Sequence, residues 1–444
     1  MPELNLGWLL FRIIVGITAL ALVFLSQRFW FRALWRVSRA WGSTAARVVV
    51  RSIYLFALLL VIVATYDSIH AGHGRIVPRG TMVTALAGFW YFSGLFSYVS
   101  VKFVHLFDGL WRSSRRLLRL QPAAAGYSGS EGAEVVADPS RRYFFKTATA
   151  VAGATPFLSA VYGFAAERLN YQIRRIEVPV AHLPPALDGI RIAQLSDIHL
   201  SGYMPRSQVR RAVDMANDLY ADIAMVTGDF ITGAGDPIAD CIAELGRLQA
   251  PLGVWGCNGN HEIYADAEAM AQRLFAINGM TLLRHENAQI QFRGGSFNLI
   301  GVDYQRERMP SGRKVQMLVG VEDLVRRDMP NILMSHNPNS FNRAAELGIE
   351  LSLAGHTHGG QVQVEILDHR LSPARFITDY IAGFYTRPLY EPARTQASGH
   401  FIAAATLDRP AAALYVNRGL GTVGAPVRLG VPPEITLLTL RRSS

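Results

Sequence analysis

Cysteine is nearly missing from this 444-residue chain: only Cys241 and Cys257 occur, and neither stands in a CxxC or Cys/His spacing. That excludes a thiolate zinc site and a dithiol redox motif. Two buried thiols are expected, with a bridge between them open in an oxidising compartment. Internal repeats are lacking too, which excludes a solenoid. Net charge is missing after residue 150, where 27 basic residues meet 28 acidic ones. The formal charge of +10 therefore sits in the first 150 residues, where 17 Lys and Arg face 6 Asp and Glu. A basic excess of that size suits nucleic acid or anionic lipid. Its setting among long apolar runs turns the reading away from nucleic acid.

Three of those runs are long enough to span a bilayer, which takes ~20 residues, at Leu6 to Leu25, Val48 to Tyr66 and Met82 to Phe107. Lys102 stands near one end of the third, where a lysine can snorkel to the headgroups. No Lys or Arg precedes the first run, and the loop after it carries Arg28, Arg32, Arg36, Arg39, Arg47 and Arg51. The next loop carries only Arg75 and Arg79, and the third holds seven basic residues between Arg112 and Lys146. By the excess of basic residues in cytoplasmic loops, the first and third loops face the cytoplasm. His70 and His73, with Asp67 nearby, read as a solvated loop rather than a metal clip.

The third loop includes a Gly-, Ser- and Pro-punctuated linker, then "SRRYFFKTATAVAGA", residues 140–154. Paired arginines before a mildly apolar run look like a twin-arginine export signal, which makes a twin-arginine translocase an expected partner. The run that follows makes a fourth crossing and delivers the rest of the chain to the outer side. The expected domains are a membrane region with three transmembrane helices (1–111), a cytoplasmic flexible linker (112–139), the twin-arginine-like motif with a fourth transmembrane helix (140–168) and a catalytic domain (169–444).

From Gly189 short apolar runs alternate with amphipathic helical ones, which predicts an α/β sandwich with polar residues at its strand ends. Those residues are Asp197 and His199 in "SDIHL", Asp229 in "TGDF", Asn260 and His261 in "GNHE", His336 in "SHNP", and His356 and His358 in "GHTHGG". Taken singly, each would pass as a cap or loop residue. Together they place carboxylate oxygen and imidazole nitrogen at five strand ends, the donor types that hard and borderline divalent ions take. Gly228, Gly259, Gly355, Gly359 and Gly360 beside them allow sharp turns and close backbone approach.

The ordered series DxH, GD, GNH, H and GHxH resembles the calcineurin-like metallophosphoesterase family over roughly Ile190 to Leu440. The tail "LYVNRGLGTVGAPVRLGVPPEITLLTL" is similar to its membrane-associated or exported bacterial branch. The resemblance implies two mixed sheets flanked by helices and two divalent ions, Mn, Fe or Zn. Asp197, His199 and His358 would hold the first ion, Asp229 would bridge, and Asn260, His336 and His356 would hold the second. His261 would contact the substrate phosphate and protonate or stabilise the leaving oxygen, a general-acid role that suits imidazole. Two positions depart from the pattern. Thr232 stands where many members carry a second aspartate, and Glu262 where others carry aspartate, a change expected to matter little.

The expected protein is a membrane-anchored phosphoesterase at the outer face of a bacterial cytoplasmic membrane, with the bilayer as partner and a phosphoester substrate that is lipid or lipid-linked. A cytoplasm-facing hydrolase of the UDP-diacylglucosamine pyrophosphatase type is the alternative. An inactive, hydrolase-like sensor is a third reading, disfavoured because no expected ligand is missing.

Overall fold

The computed structural model describes residues 6–69, 82–119, 139–307, 309, 313–366, 369–376, 378–389 and 411–442. The chain divides into two compact units, one made of Leu10–Pro78 and Met82–Tyr162, the other chiefly Gly163–Ser444.

The first unit is helical: α1 (Leu6–Arg39), α2 (Thr44–Ile69), α3 (Met82–Arg119) and α4 (Pro139–Ala165). Among the described residues two helices are long and apolar enough to cross a membrane, Ile13–Arg39 and Ser140–Leu169. The second and third apolar runs are helical but do not meet that test among these residues, so two candidate spans stand where four were expected. His70, His73, Arg75, Arg79 and linker residues 120–138 lie outside the described residues. Residues 112–119, the start of the expected linker, lie in α3, which runs on to Arg119, and Arg112 pairs with Asp108 one turn back at 2.9 Å. Arg141 and Arg142 lie in the first turn of α4, and Arg141 pairs with Asp108.

Polar side chains face inward here. Trp90 donates to Gln27 Oε1 at 2.9 Å, Tyr54 to the Gln27 carbonyl at 2.9 Å and Ser97 to the Gly153 carbonyl at 2.6 Å. Ile14, Ile17, Phe24, Phe103 and Leu158 stand exposed. That distribution, polar inside and apolar outside, inverts the usual soluble pattern.

The second unit is a two-sheet sandwich. Its strands are β1 (Gln172–Val180), β2 (Arg191–Leu195), β3 (Ile223–Val226), β4 (Val254–Gly256), β5 (Thr281–Leu282), β6 (Glu286–Phe292), β7 (Gly295–Gly301), β8 (Asn331–Met334), β9 (Leu351–Ala354), β10 (Val364–Ile366), β11 (His369–Leu371), β12 (Gly383–Pro388), β13 (Ala411–Val416) and β14 (Glu434–Arg442). One six-stranded sheet has the order β1-β14-β2-β3-β4-β5, the other β12-β13-β9-β8-β7-β6, and β10 pairs with β11 separately. Both large sheets are mixed, since β14 runs antiparallel to β2 and β6 and β12 lie antiparallel at the edges of the second. The two mixed sheets match the expectation.

Strand periodicity explains the layers. Ile192, Ile223 and Met225 point into a core shared with Leu299, Ile332, Met334, Leu351 and Leu353 of the facing sheet. Their neighbours Ala193, Leu195, Ala224 and Val226 point the other way, onto α5 (Arg206–Asn217), α6 (Ile238–Leu245) and α8 (Glu268–Ile277). On the far side α9 (Phe341–Leu347) covers Ala412, Leu414 and Val416. The parallel strands β2, β3, β4, β8 and β9 end on one side, where open α/β sheets carry their sites. Cys241 and Cys257 are buried free thiols, and burial raises both pKa values.

Candidate metal centre

Each expected residue follows one of those strand ends. Asp197 and His199 leave β2, Asp229 leaves β3, Asn260 and His261 open α7 (Asn260–Ala265) after β4, His336 leaves β8, and His356 and His358 leave β9. Three overlapping groups place one donor atom per residue within 4.8 Å of each other: Asp197, His199 and His358; His199, Asp229 and His261; Asp229, His336 and His356. Asn260 is buried, with its Oδ1 lacking a hydrogen-bond partner. Seven of the eight therefore come together at one edge of the sandwich, and Asn260 stands beside them in the chain, between Gly259, which packs against Asp229, and His261.

Asp229 joins the groups. Its Oδ1 accepts the His261 backbone N–H at 2.9 Å. Its Oδ2 lies 3.5 Å from His199 Nε2 and 3.0 Å from His336 Nε2. Asp197 Oδ1 accepts the His356 backbone N–H at 3.0 Å and lies 3.4 Å from His358 Nε2.

The imidazoles are aimed by their other nitrogens. Nδ1 of His199 contacts the Ile231 carbonyl at 3.1 Å, that of His336 the Thr227 carbonyl at 2.5 Å, and that of His261 the Thr232 carbonyl at 2.6 Å. A carbonyl only accepts, so each Nδ1 carries a hydrogen, and each ring, when neutral, turns its Nε2 lone pair to the cluster. His336 Nε2 lies 3.0 Å from Asp229 Oδ2. A proton on that nitrogen or a bound cation relieves the contact. His199 Nε2 and His358 Nε2 lie 3.1 Å apart, within reach of a hydrogen bond from His358 to His199.

The electrostatics agree. Burial drives His199 and His358 well below the usual histidine value, and burial with the neighbouring His336 takes His356 down to about 4. Neutral imidazoles are what metal ligation needs. Burial disfavours charge on both His336 and Asp229, yet their mutual attraction prevails: His336 is raised to about 10 and Asp229 lies well below the carboxylate range. The pair holds positive charge tightly. Converging lone pairs, the orphaned Asn260 oxygen and this appetite for positive charge fit divalent ions.

The backbone is strained where the donors sit. Asp197, His199, Asp229, His356 and His358 all have φ between 49° and 75°, a left-handed region costing non-glycine residues about 1–3 kcal/mol each. Glycine serves two purposes around them. Gly228 supplies a φ of +84°, whereas a side chain on Gly259 would collide with Asp229 and one on Gly355 with Ser196 and Asp197.

Two supports were missed by sequence reasoning. Glu262 is buried and accepts backbone N–H groups of Asp229 at 2.9 Å, Phe230 at 2.8 Å and Gly259 at 2.8 Å, lashing the "GD" turn to "GNH". Burial and the Asp229 charge raise its pKa to about 7. The visible signal was a capping box, with Gly259 at the N-cap of α7 and a glutamate three residues on. Arg428 is fully buried and donates to the carbonyls of Arg418, Gly419, Gly421 and Val431. It thereby braces a turn whose Gly421 N–H donates to the Asp197 carbonyl at 2.7 Å. Thr232 Oγ1 comes within 3.5 Å of His199 Nδ1, so the orienting contact falls to the Ile231 carbonyl and this hydroxyl.

A two-sheet α/β sandwich with an Asp/His donor set at its strand ends has the architecture of a metal-dependent phosphoesterase. Residues 190–360 match the calcineurin-like phosphoesterase family. A bovine (Bos taurus) transmembrane protein with metallophosphoesterase domain is 30% identical over 68% of this chain and 64% of its own length. The metallophosphoesterase YkuE of Bacillus subtilis (strain 168), itself uncharacterised, is 26% identical over 69% of this chain and 99% of its own length. The UDP-2,3-diacylglucosamine pyrophosphatase LpxG of Chlamydia trachomatis is 25% identical over 64% and 94%. The chain thus spans a little under two thirds of the bovine relative.

Proposed function

We propose that the chain is a membrane-anchored phosphoesterase that works with two divalent ions on a lipid or lipid-linked phosphoester. One observation carries the reading: Asp229 Oδ2 lies between His199 Nε2 and His336 Nε2, as a bridging carboxylate would. Asp197, His199 and His358 would hold one ion, Asn260, His336 and His356 the other, and Asp229 would contribute to both. When bound, such a pair polarises a phosphoryl oxygen and lowers the pKa of a water. His261, fixed through Nδ1 by the Thr232 carbonyl, keeps Nε2 free to pass a proton to the leaving oxygen.

The alternating basic loops and the two candidate spans favour a catalytic domain outside the cytoplasmic membrane, with twin-arginine export of the folded domain as its route. The likeness to LpxG supports a second reading, a cytoplasm-facing pyrophosphatase of a nucleotide-linked lipid.

Chelation of the membrane-embedded enzyme, followed by titration with Mn²⁺, Fe²⁺ or Zn²⁺ against a panel of phosphomonoesters, phosphodiesters and lipid pyrophosphates, tests the reading. Two ions per chain, with turnover lost and restored alongside them, is the expected result. Turnover that survives complete metal removal overturns it.

A further inference from the structure

Beside the donor cluster stands a cationic, aromatic wall that no metal role uses. Tyr264 lies three residues after His261 on α7, hence on the same face, and the two rings are 5.8 Å apart. The Arg306 guanidinium rests over the Tyr264 ring, 5.3 Å from its centroid. Tyr304 closes the wall, with its ring 5.3 Å from His356 and 6.2 Å from His336. Burial and Tyr264 push the Tyr304 hydroxyl up, while Arg306 acts on it in the opposite sense, so the three side chains form one electrostatic group.

Its exposure is that of a binding surface. Tyr264 is 57% exposed, Arg306 is exposed, and Tyr304 is half-buried against the cluster. Among the described residues Arg306 has no carboxylate partner, since the flanking Asp303 and Glu307 pair with Arg284 and Lys314. A guanidinium stacked on an aromatic ring loses little further freedom when its N–H edge meets a phosphate, and it can bind one through two parallel hydrogen bonds. The wall adjoins His261, the proton donor, so it lies on the side from which the leaving group departs.

We propose that Arg306, with Tyr264 and Tyr304, forms a subsite for a phosphate on the leaving group, so that diphosphate-linked substrates are preferred over esters with an uncharged leaving group. The inference rests on the phosphoesterase reading above. Hydrolysis breaks the P–O bond between the two phosphates, water's oxygen stays on the attacked phosphorus, and the departing phosphate leaves through Arg306.

The test uses the full chain in vesicles with its divalent ions, and three substrates: an aryl phosphodiester, a soluble nucleoside-diphosphate sugar and a diphosphate-linked lipid. Arg306→Ala is expected to cut kcat/KM for a diphosphate about 10–100-fold more than for the aryl diester. The extra loss should fall mainly in KM and be partly recovered in Arg306→Lys. Restriction of that loss to the soluble or to the lipid diphosphate identifies the source of the phosphate, and either supports the subsite. Equal proportional loss on all three substrates, or no loss on any, overturns it. If the unsubstituted, metal-loaded enzyme turns over none of them, the phosphoesterase reading fails and this inference fails with it.

Discussion

At the residue scale, the contacts of His261 separate two roles that proximity alone would merge. Its ring lies 4.7 Å from His199, close enough to belong to a ligand group. Its backbone N–H holds Asp229 and its Nδ1 is committed to a carbonyl, so truncating the ring leaves the other donors and the Asp229 contact in place. His261→Ala is therefore expected to keep metal content near two ions per chain while kcat falls about 10²–10⁴-fold, the usual worth of a positioned acid. Elemental analysis alongside turnover of an aryl phosphodiester checks both halves. Loss of an ion from the variant would make His261 a ligand instead.

At the element scale, α5 and α6 are joined through two acidic residues of α6, exposed Asp240, which pairs with Arg206 at 3.2 Å, and buried Glu244, which gathers more partners. Buried Glu244 on α6 accepts from Arg210 at 2.7 Å and 3.0 Å, from Arg206 at 2.5 Å and from Arg247 at 3.2 Å. Hydrogen bonds from Arg210, then Arg206 and Arg247, hold its pKa near 2 against the desolvation that opposes them. Because that is below the ordinary 4.5, the stabilisation is complete above about pH 4.5 and fades as pH falls toward 2. Glu244→Gln should cost about 1–3 kcal/mol near neutral pH, moderated by the solvent exposure of the arginines. The Tm gap between parent and variant should narrow as pH drops through that window, and a gap independent of pH would deny the carboxylate its role. Such cross-element contacts were the part of the fold least legible in the sequence. β2, β3, β4, β8 and β9 were readable, since each is an apolar run ending in Asp, Asn, His or Gly. The pairing of β1 with β14, at opposite ends of the domain, leaves no local mark. The eight cluster residues were readable for the same reason as their strands. Arg428 was not, because an arginine in a Gly- and Pro-rich tail looks solvated until its four carbonyl partners are known, and the Glu262 change looked minor until its backbone contacts were seen.

At the scale of the whole molecule, Arg141 and Arg142 offer the sharpest test of which side of a membrane the cluster faces. Both begin α4, where two basic residues can serve either of two ends. As an ordinary helix start they anchor a cytoplasmic loop through charge, and Arg141 adds a pairing with Asp108. Lysine satisfies both requirements, because it keeps the charge. As an export signal they are read as a guanidinium pair, and lysine does not substitute for that fork. Replacing both with lysine therefore leaves the charge distribution unchanged while removing the signal. With a reporter fused after Ser444, the expected outcome is that the parent domain reaches the outer side and the double-lysine variant stays inside, folded and metal-loaded. If the variant still reaches the outer side, α4 crosses as an ordinary helix and the translocase has no part. If the parent itself stays inside, the cluster faces the cytoplasm, and the reading suggested by the LpxG likeness takes its place.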